Sequence, residues 1–199
     1  ILNMKPIQIG TIIESQNLAK NYEKIEKILY IPMNLGTQEK QISKEKEFEE
    51  DYLKAKYFGI ATHYCLEMMS EFTIEALQYS LKLAQSRYSN YLSQIDFKDI
   101  ENRVSLMINN DNFISLIDNA EFITEQSLIY KEEIKIIDLL LFKEDTYYII
   151  DYKTTKDRSL EHIAQVAFYK KAIKDIFQTQ NVKSYLVYLH PNENFIQEV

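Results

Sequence analysis

Tryptophan is missing from this chain of 199 residues, cysteine occurs once, and glycine and proline occur three times each. The single cysteine, Cys65, excludes an internal disulfide. It equally excludes a cysteine-ligated zinc or iron–sulfur centre built by this chain alone. A reducing, cytoplasmic setting is the resulting expectation. With so little glycine and proline, long elements and few tight turns are expected. Gly10, Gly36 and Gly59 lie too far apart to form a Walker-type phosphate loop, so any ATP-driven motor is expected elsewhere. No apolar run reaches the ~18 residues of a membrane helix, so no membrane partner is expected. The opening Ile1-Leu2-Asn3-Met4-Lys5 has no secretory apolar stretch and no Met at position 1. A piece of a longer polypeptide is expected from that start.

Positive charge is the sign in deficit. The formal net charge is -7 and the pI about 5.1, which argues against holding DNA by bulk charge and leaves room for a local basic groove. What is abundant is apolar and aromatic: hydrophobic residues make up 46%, with 15 Tyr and 10 Phe, enough for one domain with a packed core.

The first half reads as helical. Ile13, Leu18, Tyr22, Ile25, Ile28 and Leu29 recur at helical spacing between Ile12 and Leu29. Pro32, Asn34 and Gly36 mark a loop. Further helices are predicted over Ser43 to Tyr57, Gly59 to Glu71, Ile74 to Leu92 and Asp99 to Asn109, with the charged run Glu45 to Asp51 as a solvated face. The second half changes character. Phe122 to Tyr130, Glu133 to Phe142 and Thr146 to Lys153 read as three strands with brief charged turns. An amphipathic helix is predicted over Ser159 to Phe177, and a fourth strand over Val182 to Leu189. The expected fold class is α/β, a mixed sheet between helices.

Pairing those strands gives the most informative result. With Glu144-Asp145 as one turn, Lys143 faces Thr146 and Asp138 falls opposite Asp151. With Lys131-Glu132 as the other, Tyr130 faces Glu133 and Glu125 falls opposite Asp138. Opposed residues share a sheet face, so Glu125, Asp138 and Asp151 form one row, with Lys153 two residues beyond Asp151 on the same face. Three carboxylates among Ile137, Leu139, Ile149 and Ile150 are costly unless neutralised, and a divalent cation would offset that cost. A shifted register, with each acid at a solvated strand end, is the competing reading. His63 shares a helix face with Gly59, four residues earlier, and Gln165 shares one with Tyr169.

Taken together, Gly59-Ile-Ala-Thr-His63, Glu125, Ile137-Asp138, Asp151-Tyr152-Lys153-Thr154 and Gln165-Val-Ala-Phe-Tyr169 resemble the RecB-like family of PD-(D/E)XK nucleases. The resemblance spans residues from about 59 to 190. It implies a restriction-endonuclease-like core over 59–199, ordered helix, three-stranded antiparallel meander, helix, fourth strand. Residues 1–58 would form a helical N-terminal region. It implies His63, Asp138, Asp151 and the carbonyl of Tyr152 as ligands of Mg²⁺ or Mn²⁺. Lys153 would act on the reacting phosphate, Glu125 would help position the ion, and Gln165 and Tyr169 would orient the site or touch DNA. Lys135 and Ile136 stand where relatives often carry a glycine. The missing cysteines favour the AddA or RecB type over relatives with an iron–sulfur cluster.

The implied activity is divalent-metal-dependent hydrolysis of DNA phosphodiesters, with linear duplex or single-stranded ends as substrate. The implied partners are a helicase domain in the same polypeptide and an AddB- or RecC-like subunit, acting in double-strand break repair. Lys153, Lys156, Arg158, Lys170, Lys171 and Lys174 are candidates for edging a DNA groove, or equally ordinary solvated charges. Two other readings stay open: a non-catalytic DNA-holding or scaffold module of the same fold, and a stand-alone phage or restriction-type nuclease.

Overall fold

A computed structural model describes residues 38–155 and 158–199, with side chains from residue 50 onward. The helix expected from Ile12 to Leu29, the loop after it and the position of Lys156 lie outside the described residues. The described residues fall almost wholly in the compact unit Lys40–Val199.

Helix α1 (Gln38–Glu67) is continuous, so the helices expected over 43–57 and from Gly59 are one element. The boundary drawn at residue 58 falls inside it. Gly59 sits mid-helix, where it costs up to about 1 kcal/mol against alanine. A Cβ there would lie 3.3 Å from Thr154 Oγ1, a tight contact that glycine avoids where α1 passes the end of a strand.

Helices α2 (Ile74–Tyr88) and α3 (Gln94–Ile108) follow, then α4 (Asp111–Ile117), which sequence periodicity did not suggest. The N-termini of α2 and α3 are capped as their sequences demand. Thr73 accepts from the Ala76 amide, and Ser93 with Asp96 forms a reciprocal capping box.

The sheet is mixed and five-stranded: β1 (Glu121–Tyr130), β2 (Glu133–Lys143), β3 (Thr146–Lys153), β4 (Val182–Leu189) and β5 (Asn194–Glu198), in that spatial order. The pairs β1–β2, β2–β3 and β4–β5 are antiparallel, while β3–β4 is parallel and joined through α5 (Leu160–Phe177). Strand β5 was not expected from sequence.

Both hairpin registers agree with the counted ones: Tyr130 pairs with Glu133, and Lys143 with Thr146. The two-residue turns have φ of 49° and 67° at Lys131-Glu132 and 50° and 57° at Glu144-Asp145. These are left-handed positions without the Asn-Gly that relieves them. Replacing Lys131-Glu132 by Asn-Gly should therefore stabilise the chain by about 1 kcal/mol. Thermal melting checks this; an unchanged or lower midpoint would show that the turn is not strained in the folded state.

The sheet has a helical layer on each face. Ala61, Cys65 and Leu66 of α1 join side chains of α2, α3 and α4 against Leu139, Leu141, Ile150 and Tyr152. Tyr169, Ala172 and Ile173 of α5 pack on Leu128, Ile137, Leu140 and Ile149.

That division reveals an irregularity. Residues two apart on a regular strand share a face, yet Ile137 belongs to the α5 side and Leu139 to the α1 side. On β1, Phe122 packs on the α1 side and Leu128 on the α5 side. The distal half of the β1–β2 hairpin thus exchanges faces at Glu125 and Asp138. Glu125 has φ of 48°, and the ladder skips from Thr124↔Leu139 to Gln126↔Ile137 while keeping register.

Candidate metal centre

The face exchange brings together residues far apart in sequence. Asp138 leaves the regular ladder, and its Oδ2 accepts the Tyr152 amide N–H at 2.7 Å. Its other oxygen lies 3.4 Å from Nδ1 of His63, on the face of α1 one turn beyond Gly59. The left-handed backbone of Glu125 leaves its carboxylate beside them: one ligand atom from each of His63, Glu125 and Asp138 lies within 4.8 Å of the others. A non-glycine residue held in this conformation costs about 1 kcal/mol or more. Here the strained residue is one of three converging donors.

The charge states follow from the crowding. Burial raises the pKa of Glu125, and the charges of Asp138 and Glu67 push the same way. Burial opposes protonation of His63, but its hydrogen bond to Asp138 and the charges of Asp138 and Asp151 outweigh burial and leave its pKa raised. Asp151 is 1% exposed. Burial first, then the charge of Asp138, lift it to about 6 against the pull of Lys153.

Asp151 stands beside the trio as the next acid on β3. Its carboxylate makes no hydrogen bond among the described residues. Its compensation is ionic: Lys153 Nζ lies 2.7 Å from Oδ2. The same ammonium donates to Gln165 Oε1 at 3.0 Å, and Gln165 Nε2 donates to the Tyr169 hydroxyl at 2.8 Å. The Gln165–Tyr169 helix turn is thus tied to the strand lysine and fixes where its charge sits.

A cleft of about 410 Å³ opens over the trio, lined by Gly59, His63, Tyr64, Glu67, Arg87 and Glu125 among others. One imidazole and two carboxylates can hold a divalent ion, the imidazole favouring Mn²⁺ over Mg²⁺. Lys153 serves only Oδ2 of Asp151, and its buried Oδ1 has no partner among the described residues. The donor set therefore fits a divalent cation. No family model matches this sequence, and no curated protein matches it. The functional reading rests on this geometry and on the motifs it gathers.

Other expected residues lie as follows. The Tyr152 ring is buried in the core, and its amide serves Asp138. Arg158 stacks 3.5 Å from the Phe195 ring centroid, and Lys170 donates to the Val199 carbonyl, so both have structural partners. Lys171 and Lys174 lie on α5. Two lining residues escaped the sequence reading. Glu67 follows His63 by one helical turn, a spacing visible in the sequence. Arg87 reaches the cleft from α2, and no sequence signal marked it. The larger apolar groove between β1, β2 and the end of α5, about 510 Å³, gathers no comparable set of ionisable groups.

Among the described residues, no helix is long and apolar enough to cross a membrane.

Proposed function

We propose that the chain is a divalent-metal-dependent DNA nuclease domain of the RecB-like PD-(D/E)XK kind, with a restriction-endonuclease-like core. One observation carries this reading. His63, Glu125 and Asp138 converge, and the Asp151–Lys153 pair on the neighbouring strand lies near enough for its charges to act on His63. Those are the positions that the motif resemblance assigns to the ion and the reacting phosphate.

His63, Glu125 and Asp138 would hold the ion, with Asp151 alongside. When bound, Mg²⁺ or Mn²⁺ supplies charge to the phosphate and makes a water nucleophilic near neutral pH. The protein's own part is positioning. Asp151 and Gln165 hold the Lys153 ammonium, whose charge would stabilise the phosphate as negative charge develops. Buried Tyr169 keeps Gln165 turned toward the lysine. The parent protein would be a helicase–nuclease of the AddA or RecB type with an AddB- or RecC-like partner, acting on DNA ends.

Digestion of linear DNA by the purified chain tests the reading. Cleavage should appear with Mg²⁺ or Mn²⁺ and vanish with EDTA. DNA left intact under both metals would overturn it.

The choice of the third acid has its own test. Glu125 is in the trio, while Glu121 starts β1 opposite Phe142 and borders the apolar groove. At ~3.3 Å per residue, four residues separate them by roughly 13 Å. Glu125→Gln should lower metal-dependent cleavage about tenfold or more, whereas Glu121→Gln should change it less than about twofold, near the level of an uninvolved surface site. Equal effects in steady-state assays would remove Glu125 from the site.

A further inference from the structure

The wall of the metal cleft holds a cation that neither the ion-binding trio nor the lysine chain uses. Arg87 lies in the last turn of α2 and lines the same cleft as His63, Glu67, Glu125 and Asp138. Its guanidinium carbon sits 4.8 Å from the centroid of the Tyr64 ring and 5.6 Å from that of Tyr88. Those two rings meet edge to face at 5.6 Å, so the arginine rests on a braced aromatic support. Tyr88 is buried, which keeps the support from drifting.

A cation in the last turn of a helix is favourable on dipole grounds alone, and stacking on tyrosine adds to that. Neither effect uses the N–H donors of the guanidinium. Three carboxylates line this cleft, yet Arg87 forms no ion pair or hydrogen bond with them or with any other described residue. A guanidinium that lies over two aromatic rings and meets no hydrogen-bond partner among the described residues suits bidentate recognition of an oxyanion.

We propose that Arg87 is a substrate-binding residue: stacked on Tyr64, it grips a phosphate of the DNA backbone neighbouring the one that is cut. This rests on the nuclease reading above. The reacting phosphate is assigned to Lys153, which leaves Arg87, on the cleft wall, the task of holding the strand. Contacts of this kind set register on the backbone and carry no sequence information. The acidic chain thereby places positive charge locally where its bulk charge supplies none.

The test uses the full chain with Arg87→Ala, Arg87→Lys and, as a control on the far strand, Lys183→Ala. Cleavage of a linear DNA is measured with Mg²⁺, and binding of a fluorescent oligonucleotide is measured with Ca²⁺ in place of Mg²⁺ over a salt series. Arg87→Ala should raise KM about tenfold with kcat within about twofold, as expected when a contact equal in ground and transition states is lost. The slope of log affinity against log salt should fall by about 0.7–0.9, one phosphate contact. Arg87→Lys should recover most of the salt slope, because charge survives, but not the whole KM, because the stacked fork does not. Lys183→Ala should match the parent. If the parent chain cuts DNA while Arg87→Ala keeps the parent KM and salt slope, the assignment of Arg87 is wrong and the nuclease reading stands. If Arg87→Ala instead lowers kcat with KM unchanged, a backbone-holding role is equally overturned. A parent chain that neither cuts nor binds DNA overturns both.

Discussion

Asp151→Asn is expected to abolish cleavage, by about a thousandfold or more, while the metal-free protein melts at a higher temperature than the parent. The two effects share one cause. Asp151 is almost wholly buried, has only Lys153 as compensation, and is lifted to about 6 by burial and by Asp138. Its charge is therefore costly in the absence of an ion and useful in its presence. A carboxyl group whose folded pKa lies above its unfolded value of 3.8 favours folding when protonated. That contribution is complete below the unfolded value and is lost as pH rises through about 6. Above that pH the asparagine removes the penalty, a gain of about 1–3 kcal/mol. The metal-free parent should likewise gain stability as pH falls from 7 toward 5, and the variant should lose much of that pH dependence. Melting curves across this range, with and without Mn²⁺, measure both. A variant that cuts linear DNA at the parent rate would remove Asp151 from the site. A variant that melts lower at pH 7 would refute the account of its burial.

Lys153→Ala should separate ion binding from chemistry. The ammonium is held between Asp151 Oδ2 and Gln165 Oε1, and it belongs to none of the converging donors. Calorimetry should therefore find Mn²⁺ binding within severalfold of the parent, while turnover falls about 100–1000-fold, the scale for removing one preorganised charge from a reacting group. Loss of the lysine leaves Asp151 buried without a partner, so the metal-free variant should also be destabilised, by about 1–3 kcal/mol. Saturating Mn²⁺ should restore part of that stability by binding the folded state. Retained turnover would count against a PD-(D/E)XK mechanism for this chain. Lost Mn²⁺ binding in a folded variant would show that the lysine organises the ion site as well.

How far the sequence reaches can be judged on particular residues. Strand positions and both hairpin registers are encoded locally: apolar runs between charged turns mark the strands, and a two-residue loop leaves one way to count partners. The opposition of Glu125 to Asp138, and of Asp138 to Asp151, follows from that counting, as does the sharing of a helix face by Gln165 and Tyr169. The continuity of α1 through Gly59 was not legible, because a glycine at that position reads as a start until Thr154 is seen against it. Strand β5 is only five residues long, Asn194–Glu198, and its hydrogen bonds to β4 decide it, not its own pattern.

Within the site the division is sharper. Sequence by itself counted Glu125, Asp138 and Asp151 into one row, placed a lysine two residues after the last of them, and set His63 one turn beyond a glycine; in the structure neither Glu125–Asp138 nor Asp138–Asp151 is a ladder pair, and Asp151 is not among the converging donors. Only the tertiary structure decided that the row is not flat. Same-parity residues on either side of Glu125 and Asp138 go to different cores, Leu139 to one and Ile137 to the other, and the left-handed backbone of Glu125 marks the exchange. That conformation groups Glu125 with Asp138 and a histidine from the opposite layer, and leaves Asp151 buried with its lysine. The arrival of Arg87 at the same cleft is likewise a matter of how α2 packs on α1. Local propensity and strand parity are short-range properties of the chain, whereas the exchange of faces depends on which distant helices supply the apolar surface on each side.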